Sequence, residues 1–592
     1  MNLKGMIVRV FIYFLGVISI FFSTMASSSS IDNMTLDGPA IIGHSVNIIY
    51  HTTPDHDVVI NYATCLLNAP NACQAGELLE SGEVFEDGNP PIPVFVPEPI
   101  SNVGKFFTYC LKLTEIRAPR DATETVCQSE KIVSSRYVDK SFSYLNQTTD
   151  FSLYEFPESK DNTSFVTSDS ALLTVRNDGS AFVYGKGGEA VLPPFQWATE
   201  QVYSTMSGFA ILHDDNTLVS WGEAFSGAVT IADVDVVYPG PYSISVVKQN
   251  GMIEVLGDSE RGASISESSK NKIKQLLASG GRIVDVYHTS QAYLAVFVMP
   301  EGKQQLVTWG NPLHGADLPE ILNAELIDIK QVATSQNAFS VLTNNGIVYS
   351  WHNNTVDIFE GIESIKATRF AFAAIKNDRS VISWGESGYG GYIPPFASDF
   401  VKNTPISRLC ATDAAFLAIA DGYKGVAAWG SSNQGGNIPV ELQNELDDTL
   451  FNSDVKCSST EGAFALYDDE AIWVWGGLMD GGLYPVTYPK SGTLSVIGNN
   501  HAFLMLNTSG VYSWGDEDAG GCIPDAKQCI SADAPHLDLR EAITDLNFNE
   551  LTIGSFYNYS EDEAHVKSGF YLRDSNRALV WGNSVPDGDI FW

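Results

Sequence analysis

The 592-residue chain offers few sets of side chains whose types and spacing could do chemistry. Gly257-Asp258-Ser259 could serve as the nucleophile turn of a hydrolase, its serine hydroxyl attacking. His51, His56 and Asp57 fall within seven residues and carry donors that zinc accepts. Asp516, Asp518 and Gly520 have the acidic spacing of a calcium loop, so Ca2+ is the cation to consider. A plainer reading stands against each. Gly257-Asp258-Ser259 aligns with Gly385-Glu386-Ser387 in a repeat, Asp516 to Gly520 occupy the same repeat position, and His51 to Asp57 surround Pro54 as a polar turn. No G-x-S-x-G elbow, H-E-x-x-H helix or phosphate-binding G-x-x-x-x-G-K loop occurs. The residues therefore point to no catalytic, cofactor-binding or metal site.

The eight cysteines are Cys65, Cys73, Cys110, Cys127, Cys410, Cys457, Cys522 and Cys529. None forms a C-x-x-C pair, so neither a zinc ribbon nor a thioredoxin-type site is indicated. An even number behind an export signal favours disulfides. Phe107, Tyr109, Leu111 and Leu113 share one strand face, and a hairpin with its apex near Ala118-Pro119 sets Cys110 opposite Cys127 and Leu111 opposite Val126. That register leaves Cys65 to Cys73, one of the three connectivities four cysteines allow. Cys522–Cys529 would close a small loop. Cys410 and Cys457 hold equivalent places in adjacent repeats, which makes a bond between them plausible.

The first residues are a targeting segment. Lys4 and Arg9 give a positive beginning, an apolar run follows from Phe11 to Phe22, and Thr24-Met25-Ala26 supplies the small residues a signal peptidase reads. Residues 1–26 read as a cleaved signal peptide, because the run is shorter than the roughly 20 residues a spanning helix needs. No later stretch is apolar enough to cross a bilayer, so the mature chain is expected outside the cell, at its surface or in a periplasm. Asp and Glu outnumber Lys and Arg by 71 to 34, a net charge of -37. Such a surface repels phosphate backbones, so nucleic acid is not an expected partner.

The elements that would position a site come in two parts. Residues 31–140 show four cysteines and no repeat, and read as a small immunoglobulin-like β-sandwich with strands near Val46–Tyr50 and Val58–Tyr62. Residues 141–168 read as a linker or a ring-closing strand. From 169 to 592 one unit recurs, as in Ala371 to Gly391, AFAAIKNDRSVISWGESGYGG. An apolar strand, a polar turn, a second strand ending in Trp-Gly and a Gly-rich loop follow one another, with a further short strand before each hairpin. Ten copies of the Trp-Gly position occur, at Tyr184, Trp221, Leu256, Trp309, Trp351, Trp384, Trp429, Trp475, Trp514 and Trp581; those at 256 and 351 are degenerate. Asn250-Gly251, Asn345-Gly346, Asn377-Asp378 and Asn177-Asp178-Gly179 suit the positive φ of tight hairpins. A bulky Trp is expected to fill the gap between sheets. A unit of about 40 residues cannot bury its own apolar faces, so the expected class is all-β: the sandwich, then a β-propeller of three-stranded repeats.

This repeat resembles that of the regulator of chromosome condensation family, and its short spacing is most similar to the exported β-lactamase-inhibitor protein II type. The resemblance covers about 170–592. It implies a ring-shaped scaffold, usually of seven blades, where this chain has ten motifs. The nuclear role of that family, guanine-nucleotide exchange and chromatin contact, is at odds with the signal peptide and the acidity, and no residue role is carried over.

The expected function is an exported, non-enzymatic protein that binds a protein or glycan partner on one propeller face. A propeller-type glycan hydrolase or lyase and a structural surface component are the alternatives. The loops after Trp-Gly are the most varied part of the repeat and supply the candidate binding residues Phe225, His314, Tyr389, Asn433, Met479 and Glu517. Six N-x-S/T sequons begin at Asn33, Asn146, Asn162, Asn353, Asn507 and Asn558.

Overall fold

A computed structural model describes residues 199–521 with short breaks, strands between 164 and 185 and between 552 and 589, and seven strands between 30 and 131. The signal peptide, the side chains of His51, His56 and Asp57, Cys73, Cys522, Cys529 and the turn at 177–179 lie outside the described residues. The chain divides into two compact units, residues 1–98 with 102–133, and residues 99–101 with 134–592.

The smaller unit has two antiparallel sheets. One runs in the order Ser30–Leu36, Ser45–Thr53, Ile92–Phe95, and the other Leu78–Val84, Val58–Leu67, Phe106–Glu115, Thr123–Lys131. Non-sequential neighbours of this kind make a Greek-key sandwich. Phe107, Tyr109 and Leu111 are buried, as their shared face requires. The hairpin register places Cys110 opposite Cys127 and Leu111 opposite Val126, and the two cysteines are bonded. Cys65 is also in a disulfide.

In the larger unit every Trp-Gly position, the two degenerate ones included, ends a strand of its own antiparallel sheet, giving ten sheets. We number these blades 1 to 10: 164–185, 199–231, 234–257, 282–310, 329–359, 362–385, 408–430, 456–476, 493–515 and 552–589. Each is a meander. Its middle strand is buried on both faces, as in Ala292–Val298 and Ala415–Ile419, which explains the unbroken apolar runs. The hairpins after it turn through positive φ at Gly251 (77°), Gly346 (81°) and, in blade 6, Arg379 (67°). The first strands of successive blades lie side by side at every junction but that of blades 3 and 4, and that of blade 10, Thr552–Tyr557, lies beside that of blade 1, Ser164–Thr167. Blades 3 and 4 meet through Tyr238, Val247 and Ile253 packed with Val286, Phe297 and Trp309. The ten sheets thus close into a propeller, larger than the seven blades that resemblance implies.

Candidate functional site

The face that carries the Trp-Gly ends also carries the turns between first and middle strands, because the middle strand begins where the third one stops: Ala371 pairs with Gly385 and Ala463 with Gly476. Each blade thus brings two loops together at one end, and three kinds of hydrogen bond lock them.

The first is a pin within a blade, seen in blades 4 and 6 to 9. In four of these a threonine directly follows the first strand, and its hydroxyl donates to a carbonyl of the short turn after Trp-Gly. Thr289 reaches His314 O at 2.8 Å, Thr368 reaches Tyr389 O at 2.8 Å, Thr412 reaches Gln434 O at 2.8 Å and Thr460 reaches Asp480 O at 2.7 Å. In blade 9 an amide does the same work, Asn499 Nδ2 donating to Ala519 O at 2.7 Å.

The second joins blades. The Trp Nε1 of one blade donates to a glycine carbonyl in the preceding blade's turn: Trp351 to Gly315 (3.0 Å), Trp429 to Gly390 (3.0 Å), Trp475 to Gly435 (2.9 Å) and Trp514 to Gly481 (3.0 Å). Gly435 has φ 94°, and a Cβ there would lie 2.7 Å from the ring of Phe464, so only glycine fits. The expected gap-filling Trp is therefore also an inter-blade donor. Blade 5 explains its own degenerate motif. After Trp351-His352 it continues into a fourth strand, Thr355–Phe359, and supplies no such glycine, so Trp384 donates instead to Ser350 Oγ at 2.9 Å and packs on Phe359.

The third is a belt of main-chain bonds. The residue after each pinning position donates its N–H to the carbonyl of its counterpart in the next blade: Ser290 to Gln336, Gln336 to Arg369, Arg369 to Asp413, Asp413 to Glu461 and Glu461 to Asn500, all at 2.8–3.0 Å. Met206 donates likewise to Pro241.

Six different side chains are thereby set side by side at the mouth of the ring. Arg369 Nε donates to Gln336 Oε1 at 2.7 Å, and Asn500 Nδ2 donates to Glu461 Oε1 at 2.6 Å. His501 Nδ1 meets Asp480 Oδ1 at 2.7 Å. Asp413 is 4% exposed, and its Oδ1 has no hydrogen-bond partner. Burial and the neighbouring Glu461 push the Asp413 carboxyl well above the usual carboxylate range, against the pull of Arg369. Burial likewise raises Glu461, opposed by His501 and by the bond from Asn500. For His501 burial disfavours the charge, but the bond to Asp480 and the charges of Glu461, Asp480 and Asp516 outweigh it and raise the imidazole to about 9. The mouth therefore sets the acidic side chains of Asp413, Glu461 and Asp480 beside Arg369 and His501 within one polar patch.

The sequence-derived binding residues fall into three groups. Phe225 is a correction: at 5% exposure it packs in the core between blades 2 and 3 and cannot face a partner. His314 and Tyr389 point back toward the belt and are half-buried; His314 Nδ1 bonds Ser290 Oγ at 2.9 Å, and Tyr389 packs edge-on against Phe370. Asn433, Met479 and Glu517 stand exposed on the turns. The difference is one of position. The fifth residue after Trp is turned inward, and the third and fourth outward, with Phe225 of the four-stranded blade 2 as the exception. Sequence reasoning missed Arg369, Asp413, Glu461, Asp480, Asn500 and His501. The signal that could have found Arg369, Asp413 and Glu461 is the Thr that precedes each of them.

Gly257-Asp258-Ser259 is an exposed rim turn, in which Asp258 Oδ1 accepts from Glu260 N at 2.8 Å. Asp516 O accepts the N–H groups of Ala519 and Gly521, as the equivalent turns do. Among the described residues no group of three or more His, Cys, Asp or Glu is arranged to hold a metal ion, and no helix is long and apolar enough to cross a membrane.

No protein-family model matches the chain, and no curated protein matches it. Solved structures show partial similarity to it. Yeast RCC1 (Prp20) bound to Kap60 is 15% identical, with 62% of this chain and 79% of that one covered at a TM-score of 0.29. The CRINKLY WD40 ectodomain of the Arabidopsis thaliana receptor kinase ACR4 is 15% identical over 46% of this chain and 90% of that one, TM-score 0.26. PorZ, a surface component of the type-IX secretion system of Porphyromonas gingivalis, is 10% identical over 75% and 60%, TM-score 0.21.

Proposed function

We propose that the protein is an exported, non-enzymatic binding protein that holds a protein or glycan partner on the propeller face carrying the belt and the Trp-Gly turns. One observation carries this reading. Leu313 (57% exposed), Leu478 (69%) and Met479 (53%) project from turns that the Thr and Trp bonds hold rigid around a polar mouth. Apolar anchors on a fixed frame lose little entropy on binding, which is what a recognition surface needs. The repeat is of the chromosome-condensation type in style, with the spacing of the exported inhibitor proteins, and its role here is that of a scaffold. Export is supported by the N-terminal segment and by the disulfides. The test is affinity capture by the mature chain from its native surroundings. The triple variant Leu313→Ser, Leu478→Ser, Met479→Ser is expected to lose the captured partner at least tenfold with an unchanged Tm. Equal recovery would move the binding site off this face.

A second reading, a propeller-type glycan hydrolase or lyase, draws on Asp413 and Glu461, two carboxyls in unlike surroundings on adjacent blades. Turnover of any glycan that Asp413→Asn abolishes would favour it over binding.

A further inference from the structure

Two of the six sequons have an asparagine whose side chain the structure describes, and their settings are opposite. Asn507 is 1% exposed. Its Nδ2 donates to Ser491 O at 2.8 Å, and its Oδ1 accepts from Ser509 N and Ser509 Oγ at 2.9 and 2.7 Å. A sugar on that nitrogen has no room, and a chain carrying one could not close blade 9. Asn353 is exposed, with φ 44°, in the turn between Val348–His352 and Thr355–Phe359. The sequon threonine, Thr355, donates its hydroxyl to His352 O at 2.7 Å, which holds this turn in shape.

The strand that follows is unusual. Thr355–Phe359 is the outer edge of blade 5 and, among the described residues, pairs only with Val348–His352. The third strands of blades 4 and 7 are covered by helices, Glu267–Ala278 with Glu320–Asn323, and Pro395–Asn403. In blade 5 Val356 (38%) and Ile358 (48%) stand exposed on the edge strand itself. A bare apolar edge is a template for pairing with another chain, and folded proteins normally blunt it.

We propose that Asn353 carries an N-linked oligosaccharide, and that the glycan shields the outer edge of blade 5. The proposal rests on the export reading, since the modification belongs to the secretory route. The donor is a lipid-diphosphate-linked oligosaccharide. The Asn353 amide nitrogen attacks sugar C1, the N–C1 bond forms, the C1–O bond to phosphate breaks, the lipid diphosphate leaves with the electron pair, and the amide proton passes to a base of the transferase. The glycan then stands at the start of the strand it covers.

The full chain with its own leader, secreted from a eukaryotic host, tests this by peptide mass mapping before and after peptide N-glycosidase. The Asn353 peptide is expected to carry a glycan and, on enzymatic release, to show the mass of the side-chain acid in place of the amide, while the Asn507 peptide stays unmodified. Asn353→Gln and, as a second sequon-breaking variant, Thr355→Ala should each remove that one glycan and shift the secreted protein toward dimers or larger species in size-exclusion chromatography. Adding Val356→Lys and Ile358→Lys to Asn353→Gln should restore the monomer. A secreted chain whose Asn353 is unmodified overturns the proposal, and a fully monomeric Asn353→Gln overturns the shielding role. A chain that is never secreted strikes the export reading first, and this proposal with it.

Discussion

The junction between blades 7 and 8 and that between blades 3 and 4 use the same fold position with very different means. At the first, Asp413 donates its N–H to Glu461 O, Trp475 donates to Gly435 O, and Ser459 Oγ donates to Ala411 O at 2.8 Å. Arg408 reaches Val455 O and, at 2.8 Å, Asn452 O, and Cys410 is bonded to Cys457. At the second, Pro241 occupies the belt position and has no N–H to give, so the belt stops there. Trp309 Nε1 is buried without a hydrogen-bond partner. This seam is held by the apolar core of Tyr238, Val247 and Ile253 against Val286 and Phe297, together with Tyr293, stacked on Trp309 at 5.5 Å, its hydroxyl donating to Ser243 O at 2.5 Å. A repeat therefore fixes where blades meet, while individual residues decide how firmly. The ring has a strong side and a seam.

Three changes would break or sharpen that contrast. Replacing both Cys410 and Cys457 by Ala removes a cross-link spanning 47 residues and should cost about 2–4 kcal/mol. Denaturant midpoints would show it, and amide exchange in Ala463–Tyr467 should rise toward that of blade 4. Unchanged exchange would mean that the hydrogen bonds alone make this junction strong. The next effect concerns pH at the neighbouring 8–9 junction. The folded state keeps His501 protonated to about pH 9, against 6.5 for an ordinary imidazole. That stabilisation is whole below pH 6.5 and is lost as pH rises through 9. Asp413 acts in the same direction, since its raised carboxyl makes folding less favourable as pH climbs above the ordinary carboxylate range. Stability should fall by about 2–3 kcal/mol between pH 6.5 and 9, and His501→Gln should flatten the urea-midpoint profile. Smallest is the contrast between two tryptophans. Trp475→Phe loses a satisfied bond and Trp309→Phe does not, so the first should cost about 1 kcal/mol more. Equal costs would remove the Nε1 bond from the account of why junctions differ.

Much of this architecture is legible in the residues. Trp-Gly recurs, so ten repeat positions can be counted even where Leu256 or Trp351-His352 spoils the motif, but the motif does not say whether each is a whole blade or whether they form one ring. Cys110 and Cys127 are symmetric about a turn, so their register follows from strand pairing. The mouth of the ring is less legible. The belt is made of main-chain groups, which leave no trace in residue identity, and its side chains look like unrelated loop residues. The rim turns cannot be sorted inward from outward by sequence alone, which is why Phe225 and Met479, each the fourth residue after its Trp, look alike until the blades are built. Arg379 is a further case: no rule of residue preference would place an arginine at a left-handed φ of 67°.

The belt has one more consequence. Because its bonds use only N–H and C=O groups, the chemistry displayed at the mouth is separable from the structure beneath it. Ser, Gln, Arg, Asp, Glu and Asn already share the same backbone placement in consecutive blades. Evolution, or an engineer, can rewrite that display one letter at a time, with proline the one substitution that cuts the thread.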